Sequence, residues 1–516
     1  MKNKKIKIIV ILIITLIIGL LGYSQVIPII VKKPSEDFTP ISIKEAKISQ
    51  DNNMALSFLY NITKEKHPTG SQEIYKVRDY ITECLKEMDV KYNVSTQNLD
   101  EYFFTELKNE RKELLNNLKN DYYNYFKEYY TEDGDVDKVV KEETQYDSFD
   151  EWYKQEFEDG KGYEITLEEK YEKEVKEFKN QTINNIIVQL NSNNNQNAQN
   201  IMFVSHYDSA SESYGAGDDG MCVAGLLETI RCLKDKKCNN NIFVMFTDGE
   251  EQNFWGATEF IKKNDIKLDL IINFDNSGNS GNLILYNYSN DSLTKQYFKA
   301  VNKESSYSFV NELLYNPDST YYQGETSDAS AFTKNGYNTI DLALVGNPFY
   351  YHSQKDNFYN VDTKSLENLT KSMIEMMTYY GNNTITLDQN EALFNFKLLN
   401  GVEFSISKKA YIIIAIIFIA TSCIYIVTLF TKKKKIIQGI LAIILTVASI
   451  VTLVLFKNFS LLFSIPCIVL LISEFIKCKK TKHIFLIILF ESYFFVVIQL
   501  IIQAVQYIIW LKWICQ

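Results

Sequence analysis

Five apolar stretches decide what this chain can be. Ile8–Val31, Ala410–Phe430, Ile436–Phe456, Phe459–Ile476 and Ile484–Leu511 each approach or exceed the ~18–20 residues that carry a helix across ~30 Å of hydrocarbon. They divide the chain into an N-terminal transmembrane anchor, 1–31, a water-compatible middle, 32–407, and a C-terminal multi-spanning domain of about four helices, 408–516. The first stretch is read as an uncleaved anchor rather than a signal peptide. Its apolar run is long, and Gly22-Tyr23-Ser24-Gln25 is a poor small-x-small cleavage site.

Charge follows the same division. Residues 1–31 carry four Lys and no acid, and 408–516 carry twelve Lys against only Glu474 and Glu491. The middle section holds 38 basic and 62 acidic residues, net −24. By the bias of Lys and Arg towards cytoplasmic loops, Lys2, Lys4, Lys5 and Lys7 hold the N-terminus in the cytoplasm. Lys432 to Lys435 and the cluster Lys477, Lys479, Lys480 and Lys482 mark two further cytoplasmic loops, with Lys457-Asn458 as a minimal outside turn. Counting crossings places 32–407 and the C-terminus outside the cytoplasm. The expectation is a multi-pass cell-membrane protein whose partner is the lipid bilayer. A net charge of −10 over the whole chain argues against a general nucleic-acid binder. Glu491, Gln499, Gln503 and Gln506 lie in the last span, where polar groups usually face helix neighbours. A transport path would need such groups on several spans.

Cys84, Cys222, Cys232 and Cys238 lie in the soluble section without a CxxC pair. That spacing is neither a zinc knuckle nor a disulfide framework, although a Cys232–Cys238 bridge is open.

The soluble section has two textures. Residues 54–97 and 183–384 alternate short apolar runs with amphipathic stretches, the rhythm of an α/β fold. Residues 98–181 are instead rich in Glu, Lys, Asp, Tyr and Phe, with Tyr122, Tyr123, Tyr125, Phe126, Tyr129 and Tyr130 crowded together. They predict a helical insertion, which either covers a cleft, touches lipid or decorates a solvated face. Buried-type strands are expected at Ile201–Val204, Ile242–Phe246, Leu270–Phe274 and Thr339–Leu344, with a helix at Gly220–Leu233. Continuous apolar runs separated by helices predict a mixed, mostly parallel sheet sandwiched by helices. In such sheets ligands bind beyond the carboxyl ends of the strands.

Those strand ends carry the chemistry. The first runs into His206-Tyr207-Asp208 and then the turn Gly215-Ala216-Gly217-Asp218-Asp219-Gly220. The second runs into Asp248-Gly249-Glu250-Glu251, the third into Asp275, and the strand near 340 into Tyr350-Tyr351-His352. Two of the chain's four His are spent on one rim with several carboxylates. Carboxylates alone would suit calcium or a solvated loop. Imidazole plus carboxylate suits a borderline divalent cation, zinc best of all.

HYD at 206–208, GAGDDG at 215–220, DGEE at 248–251, Asp275 and YYH at 350–352 resemble, in order and spacing, the motifs of the co-catalytic di-zinc aminopeptidases. That family has glutamate carboxypeptidase and glutaminyl cyclase among its relatives. HPTGS at 67–71 is similar to its N-terminal signature. A catalytic domain followed by several spans, with FNFKLLNG at 394–401, resembles the endoplasmic-reticulum and vacuolar membrane subgroup.

Carried over residue by residue, the resemblance implies two zinc ions per chain. His206 and Asp275 would hold one, Glu251 and His352 the other, and Asp218 would bridge them. Asp219 competes for the bridging role. Asp208 would hydrogen-bond His206 and fix its tautomer. Glu250 would be the general base, beside a ligand without being one. Tyr351 would help to hold the tetrahedral oxygen. Paired metals acidify a shared water towards neutral pH and polarise the carbonyl under attack. Met221 and Cys222 stand where the family commonly has a small residue and Gly, and Cys222 is read as helix packing. His67, Phe254 and Trp255 are read as structural neighbours of the site, and His483 as part of a basic loop.

The acidic middle section suits a cationic free N-terminus. The chain has only Arg78, Arg111 and Arg231, so a bidentate Arg clamp for a C-terminal carboxylate is not evident. The expectation is a zinc aminopeptidase acting on peptides with a free N-terminus. Its rivals are a carboxypeptidase of the same family and a catalytically silent ectodomain that binds protein.

Overall fold

Strands that are apolar on both faces must be covered on both faces, and four such runs form the middle of the sheet here. The computed structural model describes residues 31–46, 52–129, 134–143, 146–155, 167–191, 197–264, 266–301, 327–387, 392–397 and 403–407. They fall into two compact units: one of Met1–Asn93 with Ile186–Gln516, the other Val94–Asn185.

In chain order the elements are α1 (Asn52–Ile62), α2 (Gln72–Glu87), β1 (Tyr92–Leu99), α3 (Glu101–Tyr129), α4 (Val136–Glu143), α5 (Phe149–Tyr153), α6 (Leu167–Phe178), β2 (Gln181–Asn191), β3 (Asn200–His206), α7 (Met221–Leu233), β4 (Asn241–Thr247), α8 (Trp255–Lys263), β5 (Leu270–Phe274), β6 (Ile284–Tyr288), α9 (Asp291–Ala300), α10 (Asp328–Lys334), β7 (Thr339–Ala343), α11 (Thr363–Asn382), β8 (Ala392–Lys397) and β9 (Glu403–Ser407).

In the first unit the strands lie in the order β2-β4-β3-β5-β7-β6. The inner four are parallel: β3 pairs with β4 and with β5, and β5 pairs with β7. β2 and β6 flank them antiparallel. Because the four inner strands run the same way, their carboxyl ends share one edge. His206 pairs with Thr247 there, and Phe274 with Leu342. β3, β4 and β5 are buried nearly end to end, and Phe203 stacks on Phe274 at 6.4 Å. Burial of each such Phe contributes about 1.5–3 kcal/mol.

Helix α7 is buried along Met221–Ile230, which is why its sequence is apolar all round rather than striped. It packs on α11 and α1. Side-chain caps fix two helix starts. Ser71 of the HPTGS segment accepts from Ile74 N–H to begin α2, and Asp362 accepts from Ser365 N–H to begin α11. Each such cap contributes about 1 kcal/mol.

The second unit is helical between its strand segments. The aromatic crowding seen in the sequence becomes its core: Val136, Val140, Tyr146, Phe149 and Tyr153 are buried, with Tyr122, Phe126 and Trp152 against them. Edge-to-face rings, such as Phe126 on Trp152 at 5.1 Å, replace the aliphatic packing that the composition lacks. A bidentate Arg111–Glu174 pair at 2.6 and 2.8 Å ties α3 to α6. This unit spans Val94–Asn185.

Among the described residues no helix is long and apolar enough to cross a membrane. The predicted spans lie outside the described residues, Val31 excepted. The open Cys232–Cys238 bridge is not formed. Both are free thiols, and Cys232 donates to Glu228 at 3.4 Å.

Candidate metal centre

Six side chains from five chain segments meet at the shared strand edge. His206 ends β3, Glu250 and Glu251 follow β4, and Asp275 follows β5. Asp218 sits in the turn Ala216–Gly220 before α7, and His352 sits in the loop after β7. Asp218 is central. Its Oδ1 lies 3.1 Å from His206 Nε2 and its Oδ2 lies 3.1 Å from His352 Nε2. His206 Nε2 is also 3.8 Å from Asp275 and 4.0 Å from Glu250. His352 Nε2 is 3.2 Å from Glu251. Ligand-type atoms of His206, Glu250 and Asp275 lie within 4.8 Å of one another, as do those of Asp218, Glu251 and His352.

Local structure explains how each segment gets there. The Asp218 turn opens on Gly215 in the left-handed region, at φ 62°, where a side chain would be strained. The Asp218–Asp219 peptide is cis. Asp219, the competing bridge, is engaged elsewhere: its carboxylate accepts from Ser205 Oγ at 2.5 Å and from Asn276 N–H at 3.3 Å. Cys222 beside it is fully buried, and burial followed by the Asp219 charge raises its thiol well above the ordinary value, so it packs rather than reacts. His352 itself is left-handed, at φ 53°, a conformation that costs about 1–3 kcal/mol and tends to mark functional sites.

Asp208 faces His206 as expected and makes further contacts besides. His206 Nδ1 lies 3.0 Å from the main-chain oxygen of Asp208, and 3.4 Å from its carboxylate. The nearer partner of the ring is therefore the backbone. The carboxylate also accepts from the N–H groups of Glu250 and Glu251, at 3.1 and 3.2 Å, and from Thr69 Oγ at 2.9 Å. One buried side chain thus anchors the acidic pair, and the HPTGS segment anchors that side chain. His67 is buried with Nδ1 2.9 Å from Glu65 O, and its N–H donates to Ser209 Oγ. Phe254 and Trp255 are buried, and Phe254 is left-handed at φ 62° as the chain turns back into α8. The Tyr351 ring stacks on His352 at 3.8 Å and is 41% exposed.

Three contributors carried no motif signal. Asp356, four residues past His352, accepts from Gly217 and Asp218 N–H. Asp328, at the start of α10, accepts from Thr247 Oγ at 2.5 Å. Asn276 donates to Gly217 O and accepts from Leu344 N–H. An isolated Asp or Asn in a loop looks like ordinary turn chemistry.

The electrostatics fit a cation. Burial, then Asp275 nearby, pushes the Glu250 carboxyl well above the usual range, and burial also raises Glu251 and Asp275. Burial alone would lower His206, but Glu250, Asp208, Asp218 and Asp275 overcome it and raise the imidazole well above its ordinary value. His352 is likewise driven up to about 10 by Asp218 and Glu251 against burial. Asp218 is held at about 2, since its two imidazole partners outweigh its burial. Glu251 Oε1 is buried without a hydrogen-bond partner, which is costly unless something else satisfies it. Two imidazole nitrogens facing buried carboxylate oxygens form a donor set for zinc.

The chain is 28% identical over 254 residues to a vacuolar membrane protease of Saccharomyces cerevisiae, 48% of this chain and 25% of that protein. It is 25% identical over 283 residues to a vacuolar membrane protease of Candida dubliniensis, 52% of this chain and 30% of that protein. The chain therefore spans only about a quarter to a third of the length of these curated relatives. Among solved structures, a Bacillus subtilis zinc aminopeptidase superposes with a TM-score of 0.42 at 13% identity, over 66% of this chain and 97% of that one. Residues 185–377, which hold all six side chains of the centre, match the family model for Peptidase family M28. That match makes the segment carrying the centre similar to peptidase family M28.

Proposed function

We propose that this chain is a membrane-anchored zinc aminopeptidase that releases N-terminal residues from peptides, with its site outside the cytoplasm. The observation that carries the reading is the Asp218 carboxylate, whose two oxygens each face a different imidazole at 3.1 Å. Such a carboxylate suits a pair of cations rather than one. His206 and Asp275 would hold one zinc, Glu251 and His352 the other, and Asp218 would be shared.

Zinc held there would supply Lewis acidity and a water acidic enough to lose a proton near neutral pH. Glu250 would take that proton and return it to the leaving amine. Asp208 fixes Glu250 and Glu251 through their N–H groups, which holds base and ligand in register. Tyr351 stands at the open side of His352, where its hydroxyl could support developing charge on the substrate oxygen.

Two features favour aminopeptidase over carboxypeptidase. The soluble section is strongly acidic. All three Arg pair with carboxylates that are not among the candidate ligands: Arg78 with Asp79, Arg111 with Glu174, and Arg231 with Glu228. The relatives named as vacuolar membrane proteases support the membrane reading. The five spans and the placement of 32–407 outside the cytoplasm rest on apolar lengths and lysine positions.

The test is a panel of aminoacyl-coumarin and N-blocked peptides offered to the purified chain with and without chelator. Cleavage of free-amine substrates only, lost with chelator and in Glu250→Gln, supports the proposal. Cleavage of blocked peptides turns it towards carboxypeptidase or endopeptidase activity.

A further inference from the structure

Asp356 is only 2% exposed and lies four residues past His352. Its Oδ1 accepts from Gly217 N–H at 2.6 Å, and its Oδ2 accepts from Asp218 N–H at 3.2 Å and from Ser213 Oγ at 3.2 Å. Ala216 N–H donates to the Asp356 main-chain oxygen at 3.4 Å, and Asp356 N–H donates to Ser353 O at 2.9 Å. One residue therefore joins the loop carrying His352 to the turn carrying Asp218.

The joint has no slack. A Cβ on Gly217 would stand 2.8 Å from Asn279 Cβ, 2.9 Å from Asp356 Oδ1 and 3.0 Å from Gly278 O. The turn is thus pressed onto the carboxylate on one side and onto the 278–279 segment on the other. Two consecutive N–H groups on two oxygens of one carboxylate fix the orientation of the Asp218 backbone. That orientation decides whether the Asp218 side chain can face both imidazoles at once.

We propose that Asp356 is a positioning residue that sets the Asp218 carboxylate between His206 and His352 and thereby sets the affinity of the centre for its cations. The inference rests on the metallopeptidase reading for the identity of the cation. A carboxylate is required because it offers an acceptor to each N–H. An amide offers one acceptor and turns an NH2 group against the other N–H.

The experiment is zinc binding by the purified full-length chain, measured by competition with a chromophoric chelator, for the parent, Asp356→Asn, Asp356→Glu and Ser213→Ala. Thermal melts of the chelator-treated proteins run alongside. Asp356→Asn is expected to weaken zinc binding about 10–100-fold, the range for partners that orient metal ligands, while the chelator-treated protein melts within a few degrees of the parent. Asp356→Glu should recover part of the loss, and Ser213→Ala should show a smaller loss in the same direction. Zinc affinity of Asp356→Asn within twofold of the parent overturns the inference. So does a lowered melt of the chelator-treated protein with unchanged affinity. Where Asp356→Asn does not fold, parental affinity in Ser213→Ala overturns it. A parent that binds no zinc overturns the functional reading and this inference together, a result distinct from the others.

Discussion

Replacing Asp208 with Asn separates anchoring of the acidic pair from direct chemistry. The Asp208 carboxylate accepts from Glu250 N–H, Glu251 N–H and Thr69 Oγ. The Thr69 hydroxyl can rotate to accept from an amide, but an N–H cannot. Whichever way the Asn side chain faces, one of the two N–H groups loses its acceptor. A buried unsatisfied donor costs about 1–3 kcal/mol, and for a domain of this size each kcal/mol lowers the melting temperature by about 2–4 °C. Because the stranded donor belongs to the base or to its neighbour, activity should fall further than stability. About 10–100-fold in kcat is expected, with KM nearly unchanged. The assay is steady-state hydrolysis of a free-amine aminoacyl-coumarin beside a thermal melt, with Asp208→Ala as the more severe case. A variant that melts lower but keeps parental kcat would show that Asp208 only stabilises the loop, and the reasoning would be refuted.

Further outcomes follow from the same contacts. Asp218→Asn should abolish tight zinc binding, whereas Asp219→Asn should keep most of it, because Asp219 faces Ser205 and Asn276 rather than the imidazoles; chelator competition compares the two. Asp341 is buried, bonded to Asn273 and Ser327, and burial pushes it up to about 7. The folded state holds this proton where the unfolded chain has released it, so its contribution is full below about pH 4 and is lost as pH rises through about 7. At 1.36 kcal/mol per unit the loss is at most about 4 kcal/mol, and Asp341→Asn should flatten the decline in melting temperature between about pH 4 and about pH 7. A decline as steep in the variant as in the parent would discount Asp341. Phe203→Ala, in the buried centre of β3, should cost about 3–5 kcal/mol by denaturant titration while leaving zinc stoichiometry unchanged in the folded fraction.

What could be read before folding was set by how locally each feature is written. The inner strands β3, β4, β5 and β7 announce themselves because burial on both faces demands unbroken apolar runs. The flanking antiparallel strands do not: β2 reads QTINNIIVQLN and β6 reads ILYNY, with Asn and Tyr diluting any pattern. Candidate metal ligands are concentrated at strand ends, so His206, Asp218, Glu250, Glu251, Asp275 and His352 were all visible as candidates, and the fold gathers them. Asp356 and Asp328 were not visible, because their meaning lies in partners 138 and 81 positions away. Asp208 was visible through the resemblance as a partner of His206, and its carboxylate does lie 3.4 Å from that ring. Its contacts with the N–H groups of the DGEE turn were not legible, because they depend on the parallel pairing of β3 with β4.

The most direct measurement is X-ray anomalous scattering at the zinc edge from crystals of the zinc-loaded protein. The account predicts two peaks about 3.5–4 Å apart, one beside His206 and one beside His352, with the Asp218 carboxylate between them. A single peak, or two peaks that do not share Asp218, would contradict it.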